Sequence, residues 1–147
     1  MSTHSASRTL PYPCEQLFDL AADVESYPEY LPGWVGARIL ERNGNHLRVE
    51  QQLGLKLIPL PFVTTAVLDH PQKISIHSSD GPFRFLQIEW HFEPAGPGYC
   101  TVSLDFNFQM RVGFLEPMVT GLFDHSSPEI LNRFEKRAQM LYDSGVY

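Results

Sequence analysis

A chain of 147 residues, 43% apolar and 12% aromatic, is sized for one domain with a substantial core. Its 17 acidic residues against 11 basic ones leave a net charge of -6, which argues against charge-driven binding to a nucleic-acid backbone or to anionic lipid. Cys14 and Cys100 form neither a CxxC pattern nor a disulfide framework, and no apolar run approaches the roughly 20 residues of a membrane span.

Both cysteines read as reduced, buried small hydrophobes of a reducing compartment. Residues 1–7 are too short and polar for a signal peptide. A soluble, cytoplasmic protein is expected, and any contact with the inner face of a membrane would rest on apolar surface. Ten Phe, six Tyr and two Trp suit the lining of an apolar pocket.

His4 to Leu10 predicts a short strand ended by Pro11. Cys14, Leu17, Phe18 and Ala21 follow the i, i+3, i+4, i+7 spacing of one helical face, so Cys14 to Ala22 predicts a helix behind Pro13. Glu25 to Leu31 predicts a short helical turn made irregular by prolines. Strands are predicted at Trp34 to Arg42, His46 to Leu53, Phe62 to Leu68, Lys73 to Ser78, Phe83 to Phe92 and Thr101 to Phe108. Asn43-Gly44-Asn45, Asp69-His70-Pro71, Asp80-Gly81-Pro82 and the run Pro94 to Gly98 break them at hairpin length, which favours an antiparallel meander. Leu86, Ile88, Trp90 and Phe92 alternate with polar residues, as do Val102, Leu104, Phe106 and Phe108, so the sheet is covered on one side. Leu115 to Tyr142 predicts a long helix, kinked or broken near His125 to Ser127 ahead of Pro128. The class is α+β, a curved antiparallel sheet closed by the C-terminal helix, and a cavity remains if the sheet curves more than the helix can fill.

Candidate functional residues follow from this layout. Tyr27, Pro28, Tyr30, Leu31, Pro32 and Trp34 form either the rim of a pocket or a packed helix end. Gln51 stands on an apolar strand face beside Leu47, Val49 and Leu53, where it either orients a ligand or is a satisfied buried amide. The segment 53–62, LGLKLIPLPF, reads equally as an apolar loop over the cavity or membrane and as a strand continuing into the core. Residues 114–123 form a second apolar stretch, either a gate or plain core. The six histidines show no metal-ligand spacing. Asp23 and Glu25 fit helix-end roles better than acid–base chemistry.

The order Leu10-Pro11-Tyr12, Leu17-Phe18, Asp23-Val24-Glu25, Tyr27-Pro28, Leu31-Pro32, Gly81-Pro82-Phe83, Leu86, Trp90-His91-Phe92 and Phe134 to Ala138 resembles the START-like, helix-grip superfamily. Within it the sequence is most similar to the coenzyme Q-binding proteins and their bacterial relatives, the ribosome association toxins. The resemblance implies a non-enzymatic carrier of ubiquinone or a related polyprenyl lipid, without metal or covalent cofactor, acting in cellular respiration. Mitochondrial members carry a presequence, so a bacterial or processed form is expected. The candidate ligand contacts are Tyr27, Leu31, Trp34, Gln51 and Phe62, and Leu86, Trp90, Phe106, Met118 and Leu122. Transient membrane contact is expected through 53–62 and 114–123. The alternatives are a ribosome-associated regulator that blocks subunit association, with Arg133, Lys136 and Arg137 as its basic patch, and a polyketide cyclase or dehydratase.

Overall fold

Buried and half-exposed residues alternate without a break along the last strand of the sheet, where Cys100, Val102, Leu104, Phe106, Phe108 and Met110 share one buried face. The computed structural model describes residues 2–31, 33–55, 58–111, 113, 117 and 127–143. The strands are β1 (Ser2–Leu10), β2 (Trp34–Asn43), β3 (His46–Leu55), β4 (Ile58–Asp69), β5 (Lys73–Ser78), β6 (Phe83–Pro94) and β7 (Cys100–Met110). Helix α1 spans Cys14–Ala22, a 3-10 turn spans Val24–Ser26, α2 spans Tyr27–Tyr30 and α3 spans Ser127–Tyr142.

The strands form one antiparallel sheet in the order β1-β7-β6-β5-β4-β3-β2. It is the expected meander from β2 to β7, with β1 added beside β7. The chain therefore passes from one sheet edge to the other through α1 and α2. Helix α1 packs on β5, β6 and β7 through Leu17, Phe18 and Ala21, and α3 meets β1 and α2. Ile130, Leu131, Phe134 and Ala138 of α3 are all buried, at the helical spacing read from the sequence. Burial of each large apolar side chain contributes about 1.5–3 kcal/mol, so this inner face is what holds the α+β layers together.

The opposite face is polar. Thr3 and Asn107, Ser5 and Asp105, and Thr9 and Thr101 bond across the β1–β7 ladder. The free edge of β2 is partly capped, because Glu25 Oε2 accepts the Ile39 N–H at 2.9 Å.

Two readings are sharpened. The segment 53–62 is not a loop in its described part: β3 runs to Leu55 and β4 starts at Ile58, with Leu53 opposite Leu60 and Gly54 opposite Pro59. The prolines fit because β5 pairs with β4 only from Thr65 to Asp69. Val63, in phase with Pro59 and Pro61, sends its N–H off the β3 ladder to Asp80 Oδ2 at 2.8 Å, the side on which proline has nothing to donate. In the C-terminal segment, α3 starts at Ser127 with Pro128 in its first turn, where a missing N–H costs nothing. Residues 118–126, with the predicted kink at His125, lie outside the described residues.

Candidate functional site

Between the inner face of the sheet and the helices lies a cavity of ≈ 10 Å³, room for about one water molecule. Five strands and two helices contribute to its wall. Tyr27 comes from α2, with Leu31 just after it, Trp34 from β2, Gln51 from β3 and Ile76 from β5. Ile88 and Trp90 come from β6, Leu104 and Phe106 from β7, and Ile130 from α3.

Six of the candidates read from the sequence thus surround one chamber: Tyr27, Leu31, Trp34, Gln51, Trp90 and Phe106. Phe62 and Leu86 are buried beyond this wall, and the Phe62 ring packs on Phe83 with centroids 4.9 Å apart. Met118 and Leu122 lie outside the described residues. Ile76, Ile88, Leu104 and Ile130 complete the wall. Ile88 and Leu104 stand on the inward stripes legible in their strands, where alternation marks the face but not which of its residues border a cavity.

The chamber's polar groups are neutral. Gln51 is 1% exposed and in the inward register expected of it. Trp34 Nε1–H donates to Gln51 Oε1 at 2.7 Å, Gln51 Nε2–H donates to Thr64 Oγ1 at 2.9 Å, and the Thr64 hydroxyl donates to the Val49 carbonyl at 3.2 Å. A primary amide has two N–H donors, so one remains beyond the bond to Thr64. On the opposite wall the Tyr27 hydroxyl donates to the Ala21 carbonyl and is bonded by the Trp90 side chain. Burial pushes the Tyr27 phenol well above its ordinary value, which keeps it protonated. Rings frame the space: Tyr27 to Trp34 at 6.1 Å, Trp34 to Phe106 at 6.5 Å, and Trp90 to Phe134 at 5.0 Å.

No charged side chain is among the described lining residues, and no group of metal-ligating residues occurs among the described residues. The two carboxylates considered for acid–base work are occupied elsewhere. Asp23 accepts the Ser26 hydroxyl at 2.7 Å, and Glu25 caps β2. The chemistry of this lining suits an apolar group and can offer a hydrogen bond to an oxygen, without a pair of groups poised to move protons.

The basic patch on α3 is largely compensated. Arg133 bonds Glu129 at 2.8 Å, while Arg137 lies over the Tyr30 ring at 5.3 Å and reaches Glu29 at 3.5 Å. A much larger hollow of ≈ 1040 Å³ lies on the outer face of β1, β7, β6 and β5. It is open and polar, and its groups already have partners, Ser5 with Asp105 at 2.7 Å and His91 with the neighbouring Glu89 at 3.0 Å. It lacks the apolar enclosure that makes the inner chamber a candidate.

Residues 10–135 match the family described as polyketide cyclase / dehydrase and lipid transport. The chain is 33% identical over 143 residues to the ribosome association toxin RatA of Pseudomonas aeruginosa, covering 97% of this chain and 99% of that one. It is 27% identical over 146 residues to the mitochondrial coenzyme Q-binding protein COQ10 of Dictyostelium discoideum, covering 97% of this chain and 71% of that one. Among solved structures, the Zhui aromatase/cyclase of Streptomyces sp. R1128 superposes with a TM-score of 0.86 at 16% identity, over 98% of each chain, a likeness of fold alone.

Proposed function

Because the chain belongs to the START-like polyketide cyclase / dehydrase and lipid transport family, we propose that its inner chamber binds a neutral isoprenoid lipid of the ubiquinone kind. The protein then acts as a lipid chaperone that sequesters the quinone or delivers it to respiratory or biosynthetic enzymes. The observation that carries this reading is the chamber wall, built of aromatic and aliphatic side chains with one buried amide and no described charge. The quinone ring lies among Trp34, Trp90 and Phe106, and a ring carbonyl accepts the second N–H of Gln51. The polyprenyl tail extends beyond the chamber and stays with the membrane. The apolar end of the β3–β4 hairpin, where Pro59 and Pro61 are exposed, together with exposed Val35 on the neighbouring β2, is the surface that touches it.

Organic extraction of the purified protein, followed by mass spectrometry, tests the reading. A prenyl quinone should co-purify with wild type and be depleted in Gln51→Leu. Repeated recovery of no prenyl lipid, together with no uptake from ubiquinone-loaded vesicles, would overturn it. Replacing Leu57 and Leu60 with Ser tests the hairpin separately. Unchanged vesicle binding by a folded double variant removes that surface from the proposal.

A second reading has one specific support, the 33% identity to a ribosome association toxin. In that reading the chain binds a ribosomal subunit and blocks association. Sucrose-gradient profiles with added protein decide it: free subunits should accumulate at the expense of joined ribosomes. The enzyme reading has the fold likeness and the cyclase / dehydrase part of the family's description behind it, but the described chamber wall lacks an acid–base pair.

A further inference from the structure

Cys14 is the first residue of α1, and Cys100 is the first residue of β7. They are 86 positions apart, yet the fold brings their sulfurs into contact. Leu10, the end of β1, pairs with Cys100 in the ladder, and Pro11 to Pro13 turn the chain back so that the first turn of α1 lies over the start of β7. The Cys14 thiol donates to Cys100 Sγ at 2.7 Å. Both are free thiols inside the core, and neither lines the chamber.

We propose that Cys14 and Cys100 are a redox couple that closes to an intramolecular disulfide when a hydroperoxide reaches the protein. Cys14 reacts first, because it is 6% exposed and Cys100 is 0% exposed. In the first step the Cys14 sulfur attacks the peroxide. The O–O bond breaks, an S–O bond forms, and the remaining oxygen leaves with a proton as alcohol or water, giving a sulfenic acid. In the second step the Cys100 sulfur attacks the Cys14 sulfur. The S–S bond forms, the S–O bond breaks, and the released hydroxide leaves as water with the Cys100 proton. Two thiols lose two electrons and two protons, and one hydroperoxide is reduced.

Proximity is what makes the second step outrun over-oxidation, since the resolving thiol is already in contact. Burial pushes the Cys100 thiol above its ordinary value. The resulting cross-link ties the first turn of α1 to β7 and closes a loop spanning most of the chain, which restricts the unfolded ensemble. This couple is independent of what occupies the chamber.

The full chain, reduced and freed of reductant, is exposed to hydrogen peroxide, denatured, alkylated and weighed intact. The expected product has lost two hydrogens, takes up no alkylating agent, yields a cross-linked Cys14–Cys100 peptide and returns to two free thiols with dithiothreitol. Its urea midpoint should exceed that of the reduced form. In Cys100→Ala the sulfenic acid on Cys14 should persist and be trapped by dimedone. Two fully alkylatable thiols after an exposure that oxidises glutathione to completion would overturn the proposal, as would sulfinic acid on Cys14 beside a free Cys100. The wild-type mass decides the matter even if the alanine variant does not fold.

Discussion

A buried primary amide is costly unless its hydrogen bonds are made, and Gln51 makes two of them inside the chain, to Trp34 and to Thr64. Thr64→Val keeps the shape of that side chain and deletes its oxygen. One Gln51 N–H then loses its acceptor and the Val49 carbonyl loses a donor. Urea denaturation should show a loss of about 1–3 kcal/mol at unchanged m-value. A loss below a few tenths of a kcal/mol would mean that Gln51 repartners, and its role as a fixed anchor would fail. Gln51 itself was legible in the sequence, because strict alternation placed it with Leu47, Val49 and Leu53. Thr64 was not. Its partnership depends on the register of β3 against β4, in which Val49 faces Thr64, and alternation assigns a face without a position along the neighbouring strand. For the same reason Phe62 and Leu86, expected as ligand contacts, are buried but stand beyond the chamber wall.

Among the elements, the β5–β6 turn shows how a short connection is held. Asp80 Oδ2 accepts the Val63 N–H, the Arg111 guanidinium bonds the Ser79 carbonyl, and Gly81 sits at φ +59 against β4. A Cβ on Gly81 would lie 2.8 Å from the Pro61 carbonyl oxygen. Gly44, in the β2–β3 turn, has nearly the same φ of +61 but open space around it. Gly44→Ala should therefore cost about 1–2 kcal/mol of backbone strain, and Gly81→Ala about 2–5 kcal/mol, because steric overlap adds to the strain. Equal losses of stability in the two variants would show that the turn can lift off β4. Both turns were legible from Asn-Gly and Asp-Gly, but the docking of one of them was not, since nothing local marks which strand a turn leans on. At the start of α3, the Glu129 carboxyl is held below its ordinary value of 4.5 by hydrogen bonds from Arg133, then Asn132. A carboxyl lowered in the folded state stabilises above its unfolded value, and the effect fades as pH falls through the folded one. Glu129→Gln should be less stable than wild type at neutral pH and converge with it on acidification below the ordinary value. A difference that stays constant through that acid range would remove the charge from the explanation.

At the scale of the molecule, the chamber and its proposed occupant differ in size. The cavity of ≈ 10 Å³ is far below the roughly 300–1,000 Å³ of ordinary ligand sites. The fold was legible because its periods are strong from β2 to β7 and along α3. Cavity volume was not, because it is a small difference between the curvature of a sheet and the bulk of the side chains beneath it. A chain of this length has a radius of gyration of about 15 Å, so an extended polyprenyl tail cannot be enclosed even after expansion. A quinone ring must enter by moving part of the wall. The short α2 segment with Tyr27 and Leu31 is the piece of that wall outside the sheet ladder and the long helix. If the open form is populated at about 1%, apparent affinity falls about 100-fold from its intrinsic value. Entry is then gated, and both tryptophans of the chain line the chamber and report on it. Stopped-flow tryptophan fluorescence with a short-chain ubiquinone should give an observed rate that levels off as ligand rises, with the plateau set by opening. A rate that stays linear in ligand and approaches the diffusion limit would mean that the chamber is open before the ligand arrives, and that the closed packing of Trp34, Tyr27 and Phe106 is not the state the ligand meets.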